Sequence, residues 1–216
     1  MGQPLSASLL FVGNRHQDKV LVIRTLISEI SAITDLGDER ALAEAKLNWW
    51  REALIEKRPH PVLKALQDTG LVTPELVQEV MVLIEAIHES MDNPRFETRQ
   101  QAWSVADSLG GQAAQIEVAA LSEVNPLAEN MQAVRSLGAA HYWSRQIRDL
   151  VIDARAGRWF VPLDLQADYQ ITRADVVAGQ AGPSWSGLVR SLAMMALDSL
   201  ADAEKVLLET PQPATH

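Results

Sequence analysis

Three features of the sequence predict an all-α fold. Apolar residues recur three and four positions apart over most of the 216 residues. No segment alternates apolar and polar residues in the manner of a half-buried strand. Capping residues, prolines and glycines punctuate the periodic runs at intervals suited to helices.

Leu21, Val22, Leu26, Ile30 and Ile33 predict a first helix over 20–34, stopped by Asp35-Leu36-Gly37-Asp38. Asp38 is the expected N-cap of a second helix, which passes through Ala41, Ala45 and Trp49 to about Lys57. Pro59 and Pro61 bracket a break. Thr73-Pro74-Glu75 joins a cap residue to proline at the first helical position, and the helix it starts continues through Val80 and Ile84 to about Glu89. Asp92-Asn93-Pro94 reads as a turn. A long helix is expected over about 98–121, with Gly110 and Gly111 inside it. Pro126 opens the next, which ends near Arg155 with Gly157 in a helix-stop position. Residues 159–183, rich in proline and glycine, read as loop plus a short helix. A final helix begins at Ser184 or Ser186 and runs through Leu192, Met195, Leu200 and Val206. No repeat of fixed period is present. The expected organisation is one helical domain over 1–209 with a flexible tail over 210–216.

Composition narrows the function classes. With 47% apolar residues the chain can bury a sizeable core. It has no cysteine, which excludes disulfides and thiolate metal sites and fits a reducing compartment. A net charge of −9 argues against general nucleic-acid binding, because no basic surplus exists to neutralise phosphates. No apolar run approaches the ~20 residues of a spanning helix. Met1-Gly2-Gln3-Pro4-Leu5 lacks the charged start and apolar stretch of a secretory signal. The expectation is a soluble cytoplasmic protein.

The stretch from 138 to 164 is the richest in chemistry. Asp149 and Asp153 stand four residues apart in a helical run, so both carboxylates leave one face, one turn apart. Such a pair offers Mg²⁺ the oxygen ligands it prefers and often shares with substrate phosphates. By spacing alone, a solvated face of i,i+4 charges is the commoner reading of such a pair. Arg148, Arg155 and Arg158 lie close by in sequence.

The order Arg148-Asp149, Asp153, Arg155, Gly157-Arg158, Phe160 and Pro162 resembles the second aspartate-rich motif of the squalene/phytoene synthase family, with Arg145 where the family usually has Asn. A second block, Leu47-Asn48-Trp49-Trp50-Arg51 followed by His60-Pro61-Val62 and Ala65-Leu66, is similar to that family's Leu-x-x-Trp-Arg and His-Pro-Val segment. The two blocks occur in the family's order, and the resemblance covers roughly residues 8–165.

The resemblance implies a single-domain helical bundle of the isoprenoid synthase type around a central cavity. In the family's enzymes, two aspartate-rich helices hold Mg²⁺ ions that bind an allylic diphosphate and help it leave as pyrophosphate. A dry aromatic cavity then protects the carbocation. Carried onto this chain, Asp149 and Asp153 would be the catalytic and metal-binding pair, and Arg148, Arg155, Arg158 and Arg51 would hold diphosphate. The substrate would be an isoprenoid diphosphate such as farnesyl or geranylgeranyl diphosphate. The first family motif, close to Asp-Asp-x-x-Asp, is reduced to Asp35 as a metal ligand, with Glu29 as a substitute under a shifted register. Asp35 and Glu39 have the motif's numerical spacing, but Gly37 and Asp38 break the helix between them. The family's tyrosine before the paired glycines is also missing from Arg99-Gln100-Gln101-Ala102-Trp103.

These departures also resemble a divergent branch of the family that includes proteins similar to a mitochondrial complex I assembly factor. Three functions follow: a Mg²⁺-dependent prenyltransferase condensing two allylic diphosphates, a non-catalytic relative binding an isoprenoid or a protein partner, and a helical interaction domain. Peripheral association with the inner membrane belongs with the first two. No dinucleotide-binding glycine fingerprint accompanies the NADPH that squalene-forming relatives use. Trp49, Trp50, Trp103, Trp143, Trp159 and Trp185 would serve as core fillers or as lining of a prenyl tunnel. Gly110, Gly111, Ala113 and Ala114 would allow close helix packing or form the wall of that tunnel. His60 reads as a loop residue or structural hydrogen-bonder. His141 reads as a packed helix residue, and His16, His88 and His216 form no ligand pattern.

Overall fold

The periodic runs form helices almost where they are predicted, and no strand occurs among the described residues. The computed structural model describes residues 14–36, 39–92, 95–122 and 128–209. The expectations for Gly37, Asp38, Asn93, Pro94, Pro126 and the 210–216 tail fall outside them. The helices are α1 (Asn14–Ser31), α2 (Arg40–Glu56), α3 (Pro61–Asp68), α4 (Pro74–Asp92), α5 (Arg99–Ala106), α6 (Gln112–Leu121), α7 (Ala128–Arg155), α8 (Leu163–Tyr169), α9 (Arg173–Val177) and α10 (Ser184–Glu209). They fall into two compact units. One draws on residues up to Ile84 and those from Ile116 to the end of α6, the other on Glu85–Gln115 and the residues from α7 onward.

In the first unit, Ile23, Leu26 and Ile30 bury one face of α1, while Ala43, Leu47, Trp50 and Leu54 do the same for α2. A 3₁₀ turn, Ala32–Leu36, extends α1 and contains Asp35. Helix α2 ends at Lys57 in the left-handed conformation (φ 55°), close to the expected boundary. The predicted break lies over 57–60, and Pro61 then starts α3, a separate helix not expected from the sequence. His60 is its N-cap: its Nδ1 accepts the Val62 amide at 3.3 Å, and Pro61 fills the first helical position, where no N–H is needed. Thr73 caps α4 as expected, accepting the Leu76 amide at 3.1 Å. Arg24 of α1 donates to both carboxylate oxygens of Glu117 on α6, at 2.9 and 3.2 Å.

In the second unit, Thr98 caps α5 by accepting the Gln101 amide at 3.2 Å. The long helix expected over 98–121 is not uniform: a π-helical turn, Asp107–Gly111, separates α5 from α6. The 159–183 stretch contains two short helices, α8 and α9, in place of one. The core joins Ala139, Ala140, Trp143, Leu150 and Ala154 of α7 to Leu188, Leu192 and Ala196 of α10, with Val161, Leu165, Ile171 and Val176 from the connecting segment. Trp143 is 1% exposed and donates its indole N–H to the Leu192 carbonyl at 2.9 Å.

The paired glycines serve close packing. A Cβ on Gly138 of α7 would overlap the Gly110 carbonyl and stand 2.6 Å from the Ala114 Cβ. A Cβ on Gly110 would stand 2.5 Å from the Tyr142 Cβ. The backbones of α7 and the π turn therefore touch where a side chain cannot fit. Gly138→Ala is expected to destabilise the protein by about 1–3 kcal/mol, lowering the melting temperature by roughly 3–10 °C for a chain of this size. A thermal unfolding curve unchanged from the parent would show that the two backbones can separate without cost.

Candidate diphosphate and metal site

Helix α7 has two stripes. Trp143, Leu150 and Ala154 share the buried stripe, and Tyr142, Asp149 and Asp153 lie on its flank, half-buried. The carboxylates are thus held next to the core rather than on the open face. The Asp149 side chain is 34% exposed and that of Asp153 14%.

Each carboxylate already meets an arginine. Arg148 donates to Asp149 through Nε at 2.9 Å and through a terminal nitrogen at 2.6 Å, a two-point contact between chain neighbours. Arg158 reaches Asp153 from beyond the helix, through Nε at 3.1 Å and through a terminal nitrogen. Gly157 makes this return possible. It adopts φ +90°, a conformation that L side chains rarely adopt, and the Arg158 amide then donates to the Asp153 carbonyl at 2.8 Å. Arg145 lies within electrostatic range of Asp149. Arg155 is exposed on the last turn of α7.

The following residues lock this turn to the core. Phe160 packs edge-to-face on Trp143 with ring centroids 5.5 Å apart, and Val161 is 2% exposed. Leu163 and Asp164 donate their amides to the Phe96 and Glu97 carbonyls at 2.9 and 3.1 Å. Asp164 in turn accepts the Arg99 amide at 3.1 Å and its Nε at 3.2 Å. The Trp159 indole N–H is buried without a hydrogen-bond partner among the described residues.

Two further residues of this neighbourhood escape a reading by motif. Arg173 donates to the Ala154 carbonyl at 2.9 Å, placing a cation at the C-terminal end of α7, where the helix dipole favours one. Arg135 donates to Asp107 Oδ2 at 2.7 Å and to the side-chain carbonyls of Gln112 and Gln115 at 2.7 and 3.1 Å. Its spacing supplies a signal, since Arg135, Tyr142 and Asp149 recur every seven residues on one face of α7.

The other predicted residues belong to the first unit. Asp35 sits in the 3₁₀ turn after α1, and Glu39 occupies the position before α2, so the two share no helix. Arg51 donates to Asn48 Oδ1 at 2.7 Å on its own helix. Among the described residues, no three histidine, cysteine, aspartate or glutamate side chains gather into a metal-holding group. The donor set of Asp149 and Asp153 is therefore a two-carboxylate one. Hard oxygens one turn apart fit Mg²⁺, which commonly takes one or two carboxylates and completes its shell with water and phosphate oxygens.

The squalene/phytoene synthase profile matches residues 3–216, nearly the whole chain. The chain belongs to the squalene/phytoene synthase family. It is 25% identical over 166 residues to a chloroplastic phytoene synthase of an Oncidium hybrid cultivar, covering 74% of this chain and 40% of that protein. A chloroplastic phytoene synthase of Narcissus pseudonarcissus matches with the same identity over 39% of its length. The matched region thus spans about two fifths of these relatives. The fold is shared with a dehydrosqualene synthase at a TM-score of 0.80, with 17% identity over 96% of this chain and 73% of that one. It is shared too with a squalene synthase from Alicyclobacillus acidocaldarius at 0.71, with 16% identity over 94% and 77%. Both comparisons agree with the all-α isoprenoid synthase architecture expected from the sequence. No helix of the described residues is long and apolar enough to cross a membrane.

Arginine also tunes the Asp149 carboxylate. The hydrogen bond from Arg148 is the main cause that holds Asp149 below the ordinary aspartate range. Partial burial opposes this, while the Arg148 and Arg145 charges add to the lowering. A lowered folded-state value means that the pair contributes stability above the ordinary aspartate range and loses it as pH falls through the lowered value. Arg148→Met should therefore raise the Asp149 titration midpoint. A carboxyl-carbon NMR titration with the same midpoint in parent and variant would remove Arg148 as the cause.

Proposed function

We propose that this chain binds an isoprenoid diphosphate through Asp149 and Asp153, with Mg²⁺ between carboxylates and phosphate. The observation that carries the reading is the half-buried aspartate pair on one face of α7, flanked by Arg148 and Arg158, in the register of the family motif. Bound there, Mg²⁺ would neutralise phosphate charge and polarise the diphosphate as a leaving group. The chain's own residues do the rest. Asp149 and Asp153 supply oxygen ligands from a rigid helix. Arg148 and Arg158 stand next to those ligands and can exchange a carboxylate contact for a phosphate one, both contacts being charge-assisted. Arg155, exposed on the last turn of α7, adds a cation from the adjoining face.

Binding, rather than condensation of two allylic diphosphates, is the function this geometry supports best. In the first unit, Asp35 stands in a 3₁₀ turn and shares no helix with Glu39, so these two do not form a pair on one helix face like that of α7. A prenyltransferase reading keeps the Asp149 and Asp153 site and requires turnover there in addition.

Farnesyl or geranylgeranyl diphosphate with Mg²⁺ should raise the melting temperature, and EDTA should cancel the effect. At a ligand concentration of about 100 times Kd the stabilisation is about 2.7 kcal/mol, which corresponds to roughly 5–10 °C here. Asp149→Asn should remove the shift while leaving the ligand-free melting temperature within a few degrees. A shift that survives in Asp149→Asn would detach binding from this pair. Pyrophosphate release measured on the same samples separates binding from prenyl transfer.

A further inference from the structure

The first unit holds an open cavity of about 420 Å³ walled by Trp49, Trp50 and His60, with Glu29, Lys46 and Ile33 in its lining. Its three rings stand steeply to one another. Trp49 and Trp50 meet at 80° with centroids 5.1 Å apart, Trp49 and His60 at 62° and 5.3 Å, and Trp50 and His60 at 70° and 4.9 Å. Three mutually steep planes meet like the corner of a box. Trp50, 5% exposed, is the fixed wall, whereas Trp49 is only half-buried.

The charges around this corner are specific. His60 Nδ1 accepts the Val62 amide, so the proton of the neutral ring sits on Nε2, which faces Glu29 Oε2 at 3.6 Å. That separation is longer than a hydrogen bond, and the Glu29 side chain is 43% exposed. Its carboxylate is therefore open to a ligand. Lys46 lies one turn before Trp49 and Trp50 on α2 and forms no ion pair among the described residues. Indole faces attract cations, tryptophan most strongly of the aromatic side chains, and a nearby carboxylate adds to the attraction. A cation alone would be opposed by Lys46. A ligand that also carries an acidic group satisfies both charges.

We propose that this cavity binds a small zwitterion, its organic ammonium seated against Trp49, Trp50 and Glu29 and its acidic group meeting Lys46. Neither Asp149 nor Asp153 takes part, so this site stands or falls independently of diphosphate binding. A zwitterionic ammonium exists both as a free metabolite and as a lipid headgroup, and the recognition chemistry is the same for both.

The test is saturation-transfer NMR on the full chain with phosphocholine and glycine betaine as probes. Irradiation of protein aromatic protons should transfer saturation to the N-methyl groups of the probe. Glu29→Gln, which keeps the size of an exposed side chain while removing its charge, should weaken binding about tenfold. Lys46→Met should weaken phosphocholine but strengthen choline, whose lone positive charge Lys46 opposes. Sedimentation with phosphatidylcholine vesicles assigns the ligand to a lipid headgroup, and a signal with the free probes alone assigns it to a soluble zwitterion. No transfer to either probe at millimolar concentration, or equal binding by parent and Glu29→Gln, would overturn the proposal.

Discussion

Burial of the Trp143 indole sets the geometry on which the second unit depends. The ring is almost wholly covered, donates to the Leu192 carbonyl and packs edge-to-face on Phe160. The first contact ties α7 to α10, and the second ties α7 to the segment that follows the aspartates. Losing a buried tryptophan typically costs about 3–5 kcal/mol. A straight helix has a single rotation about its axis, so fixing Trp143 also fixes Leu150 and Ala154 inward. Asp149 and Asp153 are then turned to the flank at half-burial.

Small residues make that arrangement possible. Ala139, Ala140 and Ala196 leave room for α7 and α10 to approach, and Gly138 and Gly110 let α7 touch the π turn backbone to backbone. The π turn is also where Asp107 meets Arg135 and where Gln112, 3% exposed, finds its partner in the same guanidinium. A buried polar group next to an all-apolar core would otherwise carry a desolvation penalty. This cluster fills space beside the glycines with hydrogen-bonded polar atoms, and the glycines themselves act as spacers.

Holding a diphosphate, as proposed above, would require an acidic protein to reverse its field locally. The chain has a net charge of −9, yet Arg145, Arg148, Arg155 and Arg158 crowd the end of α7, and Arg173 sits on its last carbonyls. Screening over about 10 Å confines the influence of the remaining acidic surface, so the local balance governs the site. The hydrogen bond from Arg148 favours the ionised form of Asp149. In the first unit, Glu29 and Lys46 offer opposite charges beside Trp49 and Trp50.

Helix positions and the shared face of Asp149 and Asp153 were legible in the residues, because a 3.6-residue period and an i,i+4 spacing are local properties of the chain. The cap at Thr73 was equally local. The start of α3 was hidden because Pro61 signals a break and an initiation with the same residue, and only the His60 cap distinguishes them. The π turn was hidden because one extra residue in a helical turn leaves too little trace in the apolar pattern. The arginine partners lay further out of reach. Arg158 depends on the backbone of Gly157, Arg173 on the placement of α9, and Arg135 on how α7 meets the π turn. Spacing along the chain thus decided which residues share a helix face, while the partners of Arg135 and Arg173 came from packing between separate elements, where side-chain reach and backbone contact depend on coordinates that no local pattern encodes.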